Sequence, residues 1–195
     1  ILTSMIKDKL NQLAKGKKGI FIMSLISFTE SIVFIIPPDP FLALLCIKNK
    51  YKNVIKNILI CTFFSVLGGS LAYYFGEILI NYALKKNIDF IVKNLDSIEK
   101  LKISINDDTF LIMLTSAFTP LPYKIFCITA GVMKVNFIPF LLGSIIGRGL
   151  RFYLFGILAF KFGDKFDKIT NSNKFKILMI SLILILIIYL YYKWI

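Results

Sequence analysis

Arg148 and Arg151 stand near the centre of an apolar stretch, Phe137 to Phe160, and they are the only arginines in the 195-residue chain. A charged side chain at mid-bilayer costs roughly 2.5 to 3.5 kcal/mol on insertion scales, so such residues face a polar interior and carry function. Their i,i+3 spacing sets both guanidinia on one face of a helix. Gly147 and Gly149 flank the first arginine and remove the side-chain bulk that would hold a backbone or a ligand away. A guanidinium offers a planar fork of donors that matches carboxylate and phosphate oxygens. Snorkelling to an interface is the plainer reading, and the central position of the pair argues against it.

Two carboxylates oppose them. Glu30 lies well inside the apolar run from Ile20 to Ile36, and Asp39 sits within Pro37-Pro38-Asp39-Pro40. An intramembrane carboxylate is a functional candidate and can carry a proton, although Asp39 beside its prolines also suits a helix cap. Lys124 follows a second proline-broken stretch that contains Thr119, Pro120, Pro122 and Tyr123. Pairing Lys124, Arg148 and Arg151 with Glu30 and Asp39 leaves one surplus positive charge, which an anionic guest such as a phosphate would balance. Half-helices beginning near Asp39 and Pro122 would aim their N-terminal N–H groups at the same place. Arg148, Arg151, Lys124, Thr119 and Tyr123 are therefore the candidate ligand-binding residues, and Glu30 and Asp39 the candidate proton carriers.

The chain contains no Gly-rich nucleotide loop, no HExxH and no GxSxG. Carboxylates and cations without an evident nucleophile favour binding or transport over catalysis, so no enzyme activity is expected. The absence of histidine and the scatter of Cys46, Cys61 and Cys127 through apolar sequence exclude a Cys/His zinc site and a disulfide framework. No cofactor or metal is expected.

The elements that must position these residues are membrane helices. With 57% hydrophobic residues and several apolar runs near bilayer length, the chain reads as an all-α polytopic membrane protein. Its net charge of +13 comes from lysines lying between the apolar runs, where they set topology and meet anionic head groups. No basic stripe interleaved with aromatics points to nucleic acid. Residues 1–19 form a basic lead expected on the cytoplasmic side. A cleaved signal peptide fits poorly, because the first apolar run ends in prolines where a small-residue cleavage site would be needed.

Three prolines within four residues break the first apolar region into two half-length helices. Backbone freed there must be buried in protein or line a wet cavity. A basic loop over 48–56 precedes a long span over 57–82, whose Gly68-Gly69-Ser70 suits close helix packing. Residues 83–108 show apolar positions at helical spacing with i,i+4 acid–lysine pairs, the pattern of an amphipathic linker helix. The plan then repeats: Pro40, Gly69, Tyr73, Phe75 and Gly76 recur as Pro120, Gly149, Tyr153, Phe155 and Gly156 at one constant offset. The expected architecture is two proline-broken re-entrant helical hairpins in an inverted repeat, with halves 20–82 and 109–160. Residues 161–195 add a basic loop and a C-terminal transmembrane helix that ends in an aromatic belt. Lysine distribution places the amino terminus in the cytoplasm whether the broken segments return or cross.

FTESIVFIIPPDP (28–40), TPLPYKIFCITAGVMKVNFIPF (119–140) and GSIIGRGLRF (143–152) resemble the DedA family, the bacterial branch of the VTT or SNARE-associated membrane proteins, and within it the YqaA-like subgroup. The resemblance covers roughly residues 20–160. It implies a multi-pass protein of the bacterial inner membrane with two facing re-entrant hairpins, associated with flipping or scrambling lipid phosphates such as undecaprenyl phosphate or phospholipids, sometimes coupled to the proton gradient. Carried over by position, Glu30 and Asp39 would be the acidic pair of the first hairpin, and Arg148 and Arg151 the arginine pair. Pro37, Pro38, Pro40, Pro120, Pro122, Gly131, Gly147 and Gly149 would serve hairpin geometry and packing. Lys124 stands where many family members carry arginine, and PPDP where they usually carry a PGE-type turn.

Two further readings keep the same residues: a non-transporting assembly partner whose charged core fixes helix register, and a proton-coupled permease for a small solute. Anionic lipid phosphates, protons and a second copy of the chain are the partners these readings admit.

Overall fold

The computed structural model describes residues 16–32, 37–47, 49–86, 108–119 and 121–163, together with helical positions at 177, 181, 184 and 188. The lead up to residue 15, Pro120, the linker over 87–107 and the loop over 164–176 lie outside the described residues; the expected C-terminal helix is described only at those four positions. All regular structure among the described residues is helical: α1 (Gly16–Glu30), α2 (Asp39–Cys46), α3 (Tyr51–Lys85), α4 (Asp108–Phe118), α5 (Tyr123–Val132) and α6 (Phe137–Phe162).

The helix ends follow from local chemistry. α1 stops at Glu30 and gives way to a turn at Ser31 and Ile32, ahead of the prolines. Pro38 caps α2 and Pro40 falls in its first turn, where a missing N–H costs no helical hydrogen bond. α5 likewise begins directly after Pro122. It ends with Val135 N–H bonded to the Ala130 carbonyl at 3.1 Å and Lys134 N–H to that of Gly131 at 3.0 Å, with Lys134 at φ 49°, a left-handed closure. Tyr73 Oη fastens that turn by donating to the Val135 carbonyl at 2.6 Å. The Asn136 side chain then caps α6, accepting from Ile138 N–H at 3.1 Å.

Two helices, α3 and α6, are long and apolar enough to cross a membrane by length and composition. The 35 residues of α3 rise about 52 Å at 1.5 Å per residue, more than the roughly 30 Å of a hydrocarbon core. It starts at Tyr51, so most of the expected basic loop is its first turns, and the loop shrinks to the few residues before it. Lysines in such turns reach head groups with their long stems while the backbone stays helical.

Burial differs from that of a water-soluble bundle in its apolar surface and in the polar groups set into the core. Phe63 is 61% exposed and Leu59, Ile78 and Ile138 are similarly bare, whereas Arg148 is 2% exposed and Ser27, Ser31, Ser65 and Ser144 are fully buried. An apolar exterior around an interior that mixes apolar clusters with buried polar groups suits lipid, where each buried polar group must find its partner within the protein.

The order helix, proline-containing break, short helix, long helix occurs twice, as α1–α2–α3 and α4–α5–α6. The halves are interlocked, because α2 packs against α6 and α5 against α3. Glycines set the closest crossings. A Cβ on Gly131 would strike the Tyr73 carbonyl oxygen, and one on Gly76 that of Ile128, so α3 and α5 touch backbone to backbone. Gly143 and Gly147, one turn apart, do the same for α6 against Phe110 and Leu114 of α4. On α3, Gly68 admits the Phe28 carbonyl of α1.

Candidate functional site

Arg148 is buried where α6 packs on α3, and its side chain reaches the end of α1. Its Nη2 donates to Glu30 Oε2 at 2.5 Å and its Nε to Ser65 Oγ at 2.6 Å. Glu30 is the last residue of α1, where the unpaired carbonyls of the helix end already concentrate negative charge; the guanidinium offsets both. Ser65 Oγ lies 2.9 Å from Ser31 Oγ. Ser31 directs its single proton to the Ser27 carbonyl at 3.1 Å, and Ser65 accepts from Arg148, so Ser65 must be the donor between the two hydroxyls. Ser27 Oγ in turn donates to the Cys61 carbonyl at 2.8 Å. This directional chain fixes the plane of the Arg148 guanidinium. The rings of Tyr123 and Phe152 lie 4.9 Å from its central carbon, a cation–π enclosure that keeps lipid and water away.

Arg151, one turn further along α6, makes a different set of bonds. Nη2 donates to Asp39 Oδ2 at 2.5 Å, Nε to Asp39 Oδ1 at 3.4 Å, and Nη1 to the Thr119 carbonyl at 2.6 Å. Asp39 is the first residue of α2, where a carboxylate also meets the positive end of the helix. The N-cap position belongs to Pro38, so Asp39 is not the cap that its place beside the prolines suggested, and its carboxylate goes to Arg151. Thr119 directly follows α4, whose terminal carbonyls have no helical partner. One guanidinium therefore joins the two proline breaks. Phe155 lies 5.8 Å beneath it.

The structure thus brings Glu30, Asp39, Arg148, Arg151, Thr119 and Tyr123 together around α6. Thr119 contributes its carbonyl, its hydroxyl being turned back to the Thr115 carbonyl at 2.7 Å. Lys124 is half-buried in the first turn of α5. Pro38 is buried, while Pro37, Pro40 and Pro122 are exposed. Gly149 meets only Thr62 Cγ2, at 3.8 Å, an ordinary contact. The sequence reading did not single out Ser27, Ser31, Ser65, Ser144 or Phe152. Its available signal was spacing: Ser24, Ser27 and Ser31 recur at i,i+3 and i,i+4 intervals in an otherwise largely apolar stretch, the first two on α1 and the third in the turn that follows it.

The arrangement can hold an oxyanion, provided that anion competes with a carboxylate for a guanidinium. Each arginine already has a counter-charge, so the chemistry on offer is ion exchange within a buried site.

The family model for the VTT domain matches residues 36–159. An uncharacterized protein of Haemophilus influenzae is 30% identical over 162 residues, covering 82% of this chain and 81% of its own length. A homologue from Histophilus somni, also described as uncharacterized, is 33% identical over 178 residues, covering 86% of this chain and 87% of its own. No solved structure matches.

Proposed function

We propose, since the chain belongs to the VTT-domain (DedA) family, that it is a lipid-phosphate flippase or scramblase of the bacterial inner membrane. The observation that carries this reading is the buried Glu30–Arg148 pair beside a proline break. In this mechanism the head-group phosphate enters the protein while the acyl or prenyl tails remain in lipid. Arg148 can pair with a phosphate oxygen only as Glu30 lets go, and protonation of Glu30 from an aqueous side is the simplest way to release it. The neutral carboxylic acid then no longer competes for the guanidinium, and loss of that proton on the other side expels the anion by restoring the ion pair. The charge in the site is conserved at each stage: one cation faces one anion, either carboxylate or phosphate. Re-entrant breaks facing one another from the two halves would carry the site from one leaflet to the other.

Pairing of both arginines within the protein also suits the assembly-partner reading, in which the charges only fix helix register. Reconstitution separates the two. Proteoliposomes holding the full chain are expected to move a fluorescent phospholipid or undecaprenyl phosphate between leaflets faster than empty vesicles. Flux no greater than that of empty vesicles for both lipids would sink the transport reading.

A further inference from the structure

The site contains a feature that neither ion pair uses. Tyr123 Oη and Ser144 Oγ are fully buried neighbours, with the Cys127 thiol beside the tyrosine, and neither hydroxyl has a protein partner of good hydrogen-bond geometry. Buried polar atoms are paired in nine cases or more out of ten, and an unpaired one usually marks a ligand or an ordered water. Two at one place call for a single explanation.

Their surroundings indicate what kind of atom completes them. Ser144 lies one turn before Arg148 on α6, so both project from the same face. The Arg148 guanidinium carbon lies over the Tyr123 ring, 4.9 Å from its centroid. A Cβ on Gly69 of α3 would fall on the Tyr123 hydroxyl, so the glycine leaves room for that oxygen. Each hydroxyl has one proton to give, and the nearest formal charge is a cation. Two donors beside a guanidinium match an oxyanion oxygen, which accepts up to three hydrogen bonds.

We propose that Tyr123 Oη and Ser144 Oγ form a hydroxyl clamp for one oxygen of a phosphate monoester or diester, next to the oxygen that Arg148 engages. The inference rests on the phosphate-transport reading and adds to it the residues that hold the second oxygen. Neutral donors suit such a site. They add affinity for the anion without adding a permanent charge to the empty protein, so the ion pair with Glu30 can still re-form and release the ligand. They also separate phosphate from carboxylate competitors, since a tetrahedral phosphate has an oxygen to spare for the clamp once the guanidinium is satisfied.

The test uses the full chain purified in detergent, with dodecyl phosphate as the lipid-like probe and inorganic phosphate as the free one. Binding is measured by titration and thermal unfolding for the wild type, Tyr123→Phe, Ser144→Ala, the double variant and Arg148→Lys. The clamp predicts that each single hydroxyl deletion weakens binding of dodecyl phosphate about tenfold, the loss from one hydrogen bond to a charged acceptor. The unliganded melting temperature of the double variant should be unchanged or higher, because two unsatisfied hydroxyls have been removed together. Competition by inorganic phosphate assigns the clamp to free phosphate as well as to a lipid head group. The clamp is overturned if both deletions keep wild-type affinity while Arg148→Lys loses it; the phosphate reading then survives without it. It is equally overturned if the single deletions lower the unliganded melting temperature and leave affinity intact, since the hydroxyls would then serve a structural water only. Absence of binding by the wild type to either probe overturns the phosphate reading itself and the clamp with it.

Discussion

Arg151 donates to Asp39 at 2.5 Å across 112 positions of the chain and, with another nitrogen of the same guanidinium, holds the Thr119 carbonyl. The side chain of Asp39 is 7% exposed and that of Arg151 14%. Removing the cation strands a buried carboxylate, at a cost of roughly 3 to 5 kcal/mol for a buried pair. Arg151→Ala is therefore expected to lower the melting temperature in detergent and the amount of protein in the membrane. Adding Asp39→Asn should recover a good part of the loss. A double variant as unstable as Arg151→Ala would show that the charge on Asp39 is not what destabilises the single variant.

The arginines are not exchangeable for lysine if a phosphate is the guest. A lysine ammonium at 148 cannot hold Ser65 with one nitrogen and Glu30 with another in the fixed fork that Arg148 uses. Arg148→Lys and Arg151→Lys should insert normally, since the membrane meets the same charge, yet lose most lipid-phosphate flux. Flux and abundance measured side by side test this. Full flux in both variants would rule out capture by a guanidinium fork.

Glu30 and Asp39 differ in accessibility and in grip. Glu30 is 19% exposed and meets Arg148 through one short bond, whereas Asp39 is 7% exposed and faces Arg151 with both oxygens. Glu30 is the one that can exchange its partner. Flux that varies with pH in the wild type should lose that variation in Glu30→Gln and keep it in Asp39→Asn. A Glu30→Gln protein with the wild-type pH profile would exclude Glu30 as the proton carrier.

Two glycines make a contrasting pair. At Gly131 an added methyl group collides with the Tyr73 carbonyl oxygen, whereas at Gly149 it meets Thr62 Cγ2 at 3.8 Å. Gly131→Ala must push α5 away from α3, and a loss of about 2 kcal/mol or more is expected, in the range of overpacked cores. Gly149→Ala should be neutral or stabilising by up to about 1 kcal/mol, through the better helix propensity of alanine. Unfolding of the two variants in one detergent compares them directly.

Topology is testable at Asn53, which is exposed in the first turns of α3. The native cysteines, Cys46, Cys61 and Cys127, are buried and should give little background labelling. A cysteine at Asn53 is expected to react with an impermeant reagent from the cytoplasm only. Labelling from the periplasm alone would mean that the first broken segment crosses the membrane fully.

What the sequence disclosed about this site was its charge, because an arginine or glutamate inside an apolar run stands out against its neighbours. It could not say which carboxylate meets which arginine, since that depends on α1 and α2 approaching α6 from the other half of the chain. Hydroxyls were harder to see. Serine occurs in membrane helices with or without a role, and Ser65 becomes meaningful only once Arg148 lies 2.6 Å away. Gly147 and Gly149 look equivalent beside Arg148, but two residues at 3.6 per turn lie nearly on opposite sides of a helix; only Gly147 faces α4. The start of α3 was misread for a related reason. Lysines mark the end of hydrocarbon contact, and the helix continues beyond it.

The long sequence separation of the two ion pairs has a bearing on how the protein is made. Glu30 emerges from the ribosome 118 residues before Arg148, and Asp39 112 residues before Arg151. At 5 to 20 residues per second, that interval is roughly 6 to 24 seconds. For that time the first half is in or beside the bilayer with two carboxylates whose partners have not yet been translated. The insertion machinery must shelter them, and a ribosome stalled before Arg148 leaves a product that the cell's quality control should recognise as unfinished. The last helix of the repeat to be synthesised thus completes the first.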